Sequence, residues 1–149
     1  MKSNLAMAGL VAVFTFSGAA WADGGPSGLW KTIDDDTKQE RSLVRITESS
    51  GVFTGKIEKL LEQAKANAVC EKCTDERKGQ PVAGLQIIKG VKASTSDKEL
   101  WDGGEILDPN NGKTYKVRLK PIDGGKKLEV RGYIGAPMFG RTQTWIRVE

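Results

Sequence analysis

The chain has 149 residues, with 18 glycines, 5 prolines, 2 cysteines, no histidine and a formal net charge of +4. Without imidazole, serine triads, histidine-ligated haem and histidine zinc sites are excluded, and any catalysis would rest on carboxylates, Tyr, Lys or Cys. Lys and Arg are interspersed with acids along the whole length instead of gathered in a patch with aromatics, which argues against a nucleic-acid partner.

An apolar run from Leu5 to Phe16 follows Lys2, and Ala20-Trp21-Ala22 places small residues where a signal peptidase reads them. These features predict a leader over residues 1–22, cleaved after Ala22, and one mature domain over residues 23–149. The run is too short for a transmembrane anchor, and Asp23 after the cut is not the cysteine of a lipid-modified terminus. Beyond the cut, 22 bases and 19 acids leave a charge of +3. The expected location is periplasmic or secreted.

Strand patterns then follow one another. Gly28 to Asp34 reads as the first strand, and Asp34-Asp35-Asp36-Thr37 as a polar turn. Arg41 to Glu48 is next, with Val44 and Ile46 alternating with Arg45 and Thr47. After Ser49-Ser50-Gly51 the chain returns through Val52 to Ile57, with Phe53, Gly55 and Ile57 on one face. Ile57, Leu60, Leu61, Ala64 and Ala68 fall at spacings of three and four and predict one short amphipathic helix. Thr74 to Pro81 reads as loop, followed by strands over Val82 to Val91 and Leu100 to Leu107. Asp108-Pro109-Asn110-Asn111-Gly112 is a turn cluster leading into Tyr115 to Lys120, where Tyr115, Val117 and Leu119 alternate with Lys116, Arg118 and Lys120. Lys127 to Gly135 and Arg141 to Val148 complete eight strands and one helix.

Eight sequential strands joined mostly by tight turns point to an all-β, antiparallel up-and-down barrel, because closure removes both unpaired sheet edges. Such a barrel is either filled by its own side chains or just roomy enough for one small ligand. Gly55, between Phe53 and Ile57, and Gly132, between Val130 and Ile134, sit on faces assigned inward. Their missing side chains leave a hollow on one reading and mark bulges or sharp bends on the other.

Gly28-Leu29-Trp30 ahead of the first strand resembles the Gly-x-Trp signature of lipocalins and related calycins, whose Trp plugs one barrel end. Arg147 on the last strand resembles their closing basic residue, which stacks on that Trp, with Arg141 as the other candidate. Five segments together resemble the bacterial exported family known as domain of unknown function 2147. They are Gly28-Leu29-Trp30-Lys31-Thr32, the pair Cys70 and Cys73, Ile106 to Tyr115, Arg131-Gly132-Tyr133-Ile134-Gly135, and Gly140 to Trp145. The resemblance covers essentially the whole mature chain. It implies a lipocalin-type barrel in the bacterial envelope and brings no reaction and no catalytic residues.

The remaining motifs are weighed on their chemistry. In an oxidising envelope Cys70 and Cys73 are expected to form a structural disulfide pinning the loop after the helix. A redox role would need the first thiol at a helix N-terminus, whereas here the helix precedes the pair. Haem attachment fails because Thr74 stands where histidine is required, and a zinc ribbon lacks its second pair. Asp108, Asn110 and Asn111 break the ligand alternation of a calcium loop, and Gly112-Lys113-Thr114 lacks the first glycine and the following helix of a phosphate loop. Asp102, Glu105 and Asp108 lie near Tyr115 in sequence, yet alternation separates Asp102 from Glu105 across the sheet. Neither a catalytic set nor a cofactor is expected.

Two functions remain. In the first, the barrel holds a small hydrophobic or amphipathic ligand among Phe53, Ile87, Trp101, Tyr115, Val117, Val130 and Ile134, with Gly28, Trp30 and Arg147 closing one end. In the second, a filled barrel binds an envelope protein, or anionic polysaccharide or lipid, through its loops or a basic face of Lys116, Arg118, Lys120, Lys127 and Arg131.

Overall fold

Period-two alternation builds every wall of the molecule. In the computed structural model, which describes Ala12 and residues 25–149, eight strands follow in order: β1 Gly28–Ile33, β2 Glu40–Ser49, β3 Val52–Leu60, β4 Gln86–Ala93, β5 Trp101–Asp108, β6 Lys113–Ile122, β7 Lys127–Tyr133 and β8 Gly140–Arg147. Each pairs antiparallel with the next, and β8 returns to β1 through Trp30 opposite Arg147 and Lys31 opposite Ile146, closing the barrel. Apart from Ala12, the expected leader and its cleavage site lie outside the described residues. Among the described residues no helix is long and apolar enough to cross a membrane.

The predicted amphipathic helix does not form. Ile57 and Leu60 belong to β3, opposite Val44 and Ser42, and the only helical remnant of that pattern is a 3-10 turn over Gln63–Lys65. A helical stripe this short is marginal in water, and extending the β2–β3 ladder buries Ile57 more effectively. The predicted fourth strand is also shorter. Val82 and Leu85 are buried, but from irregular chain leading into β4.

Inward side chains stack along the barrel axis, and in such a barrel the termini share one end with the β2–β3, β4–β5 and β6–β7 connections. Toward that end the interior is solid. Trp30, Val44, Ile46, Ile88, Val91, Val117, Leu119 and Leu128 are at most 1% exposed, and burial of this kind supplies most of the folding drive. Phe53 meets Trp101 edge to face across the base of the core, with centroids 6.4 Å apart.

The two inward glycines differ. A methyl on Gly55 would come within 3.0–3.3 Å of Ile88, and the β3–β4 register shifts on both sides of Gly55, so this glycine marks a bulge that Ile88 fills. A methyl on Gly132 would meet Tyr115 and Ile106 only at 3.6 Å and beyond, in ordinary contact. Gly132 borders open space.

Candidate functional site

The plugged end is built around Trp30. Its ring is fully buried, and its indole N–H donates to the Pro26 carbonyl at 2.8 Å. The Arg147 guanidinium lies 4.2 Å from the ring centroid and donates to three carbonyls, from Nε to Gly125, Nη1 to Ser27 and Nη2 to Gly25. Burial pushes the Arg147 pKa down from its ordinary value, the expected direction for a cation drawn out of water. Gly28 adopts a positive φ of 141°, and any Cβ there would collide with the Arg147 guanidinium and the Glu149 carbonyl. The glycine of the Gly-x-Trp motif is therefore the space through which the arginine crosses. Arg141, the other candidate for this role, lies at the opposite end.

At that opposite end the β1–β2, β3–β4, β5–β6 and β7–β8 connections surround a cavity of about 600 Å³. Its deeper wall is mainly apolar, formed by Ile57, Ile106, Val130 and Trp145. Thr32 and Ser42 add a polar stripe, their hydroxyls hydrogen-bonded to each other at 2.8 Å. The mouth is charged. Arg41 Nε donates to Asp34 at 3.1 Å, Arg141 to Asp35 at 3.1 Å, and Lys65 lies 3.2 Å from Glu62. Hydrogen bonds from the Thr37 backbone and hydroxyl, then from Arg41, hold the Asp34 carboxyl well below the usual carboxylate range. Asp34 is accordingly a fixed negative charge in an ion pair and no proton donor.

One side of the mouth is a long excursion between β3 and β4, which brings Ala68, Val69 and Val82 to the cavity. A disulfide joins Cys70 to Cys73, and both residues are buried. Around it the chain folds back through Cys70 N–H to the Gln80 carbonyl, Gly79 N–H to the Cys70 carbonyl, and a bridge between Val69 and Pro81. A Cβ on Gly112 would strike the Lys72 carbonyl, so the disulfide loop rests directly on the β5–β6 turn.

Of the seven residues expected to line a ligand site, Ile87, Tyr115, Val130 and Ile134 border the cavity. Phe53, Trp101 and Val117 do not: Phe53 and Trp101 pack on each other near the β2–β3 and β4–β5 connections, and Val117 is fully buried by its neighbours. Alternation identifies which face a residue takes but neither its height along the barrel axis nor which inward side chains meet across the bore. Thr32, Arg41, Ser42, Arg141 and Trp145 also border the cavity and are absent from the expected lining, Arg141 being expected instead as a candidate for the closing residue.

The acids near Tyr115 do not converge. Glu105 pairs outside with Lys89 at 3.7 Å, while Asp108 accepts from the Asn110 backbone in its turn. The basic face of β6 is interrupted as well, since Lys116 stands opposite Glu105 and Lys120 opposite Glu129.

A closed eight-stranded antiparallel barrel, plugged by a Trp–Arg stack at one end and hollow at the other, has the architecture of a lipocalin-like protein. The chain belongs to the bacterial family DUF2147, described as "Uncharacterized protein conserved in bacteria", whose model matches residues 28–147. Among solved structures it is similar to Helicobacter pylori protein HP1028, described as belonging to the lipocalin family. The TM-score is 0.70 at 21% identity, covering 83% of this chain and 82% of that one. No curated protein matches the chain.

Proposed function

We propose that this protein is an exported, non-enzymatic carrier that holds a small amphipathic ligand in the open half of its barrel. The observation that carries this reading is the cavity of about 600 Å³, within the usual size range of small-molecule sites. The apolar tail of the ligand lies against Ile57, Val130 and Trp145, where each buried methylene contributes roughly 0.8 kcal/mol. Its polar end sits at the mouth with Arg41 and Arg141. Export is supported by the leader pattern in the sequence and by the disulfide, a bond favoured in oxidising compartments.

Native mass spectrometry of the protein purified from its own envelope tests the reading. The expected result is a stoichiometric adduct that disappears on denaturation. A bare polypeptide mass that stays bare across a panel of fatty acids and other amphiphiles would overturn it.

A further inference from the structure

The loop joining β7 to β8, Ile134-Gly135-Ala136-Pro137-Met138-Phe139, has no charged residue and presents its large side chains to water. Ile134 is 65% exposed, Met138 75% and Phe139 67%. The loop is nevertheless well tied. Ile134 N–H donates to the Phe139 carbonyl at 3.1 Å, Phe139 N–H to the Ala136 carbonyl at 2.9 Å, and Arg131 Nε to the Pro137 carbonyl at 2.7 Å. Holding three apolar side chains in water on an ordered loop is unfavourable unless something apolar receives them.

Chemistry changes in layers below this tip. On the outer wall Tyr133 stands opposite Lys116, and one step further down Arg131 stands opposite Arg118. Like charges facing each other across a ladder are destabilising by themselves. Among the described residues none of Lys116, Arg118 and Arg131 has a carboxylate within ion-pair distance, and Arg118 Nε is buried without a partner. Lys116 faces Glu105 across the β5–β6 ladder without pairing with it, and Arg131 also donates to the Thr142 hydroxyl, so the three cations keep their charge uncompensated. An apolar tip, then an aromatic with a polar end, then cations without an ion-pair partner about 10 Å further down the strand match the order of acyl chains, interface and headgroups in a bilayer leaflet. The cations supply the charge complement of an anionic headgroup layer.

We infer that the β7–β8 loop is a membrane anchor that inserts Ile134, Met138 and Phe139 into an anionic bilayer surface while Lys116, Arg118 and Arg131 engage lipid phosphates. Ile134 and Phe139 also border the cavity, so docking places the barrel mouth at the lipid surface. This inference goes beyond the carrier reading and does not depend on it.

The test is flotation of the mature protein with protein-free vesicles of phosphatidylethanolamine and phosphatidylglycerol, compared with phosphatidylcholine alone. The intact protein is expected to float with the anionic vesicles. Met138→Asp should lower partitioning about tenfold or more, because a charge replaces an inserted apolar side chain. Arg118→Gln should lower partitioning to anionic vesicles about fivefold and leave the phosphatidylcholine value unchanged. Gly132→Leu, which fills the cavity, should still float, separating failure of the carrier reading from failure of this one. Absence of flotation, equal flotation by Met138→Asp with an unchanged melting temperature, or flotation only with vesicles carrying envelope proteins would overturn the proposal, the last by assigning the loop to a protein partner.

Discussion

The guanidinium of Arg147 lies 4.2 Å from the centroid of the Trp30 ring, and the two residues are direct partners across the β1–β8 seam that closes the barrel. One contact thus serves as both seam and plug. Two residue pairs are in register across the seam and Leu29 continues it through backbone hydrogen bonds with Val148 and Glu149, and the side-chain stack and the three carbonyls held by Arg147 add to this ladder.

Trp30→Ala is expected to cost roughly 3 to 5 kcal/mol, as for other fully buried large aromatics. Arg147→Met should cost about 2 kcal/mol through its lost charge-assisted hydrogen bonds. In a double-mutant cycle by chemical denaturation the pair should show a coupling of about 1 kcal/mol. A coupling near zero would show that the stack does not bind the two ends together.

Gly55 and Gly132 should respond oppositely to substitution. Gly55→Ala drives a methyl into Ile88 and is expected to destabilise by about 1 to 3 kcal/mol. Gly132→Ala meets ordinary contact distances and should leave the melting temperature nearly unchanged. Gly132→Leu occupies cavity volume and should weaken binding of a fluorescent fatty acid at least tenfold while the fold persists. Unchanged binding would place the ligand elsewhere.

Acid should act through Asp34. Its folded carboxyl is held below the ordinary value by Thr37 and Arg41, so under acid conditions the unfolded chain takes up a proton before the folded one does. Its contribution is full at neutral pH and is lost as pH falls below about 5 and on through the folded value. Asp75, lowered to about 2 chiefly by Arg77, acts in the same direction. The melting temperature of Asp34→Asn should lie below that of the unmodified protein at pH 7, and the gap should close toward pH 2. A gap independent of pH would refute the ion-pair account.

The disulfide between Cys70 and Cys73 closes a small loop, which on the chain-entropy model stabilises the fold by about 2 kcal/mol. Both residues are buried, so reduction should require partial unfolding. Replacing both with serine should lower the melting temperature and, because this loop rests on the Gly112 turn beside the mouth, weaken ligand binding more than it weakens the barrel. Equal loss of both would make the disulfide a general staple only.

Much of the architecture is legible in the amino-acid sequence because strand periodicity is local. Tyr115, Val117 and Leu119 alternate with Lys116, Arg118 and Lys120, and this alternation alone orients β6. Turn chemistry such as Asp108 to Gly112 bounds the strands, and the Gly-x-Trp motif with Arg147 names the closing pair. What period-two reasoning cannot supply is how the inward residues fill the bore. Val117 and Val130 have the same inward parity, and Val130 pairs with Leu119, one inward position nearer the plug than Val117. Yet Val117 is packed and Val130 faces the cavity, because that difference depends on which side chains reach across from the other strands. The helix-like spacing from Ile57 to Ala68 yields to the β2–β3 ladder for a related reason: a short local preference loses to burial that only neighbouring strands provide. Sequence alone marked most of the strands and their faces and, through the resemblance to calycins, Trp30 with Arg147 or Arg141 as the plug; the tertiary structure chose Arg147 and decided which end stays hollow, because that requires all eight walls to be in register at once.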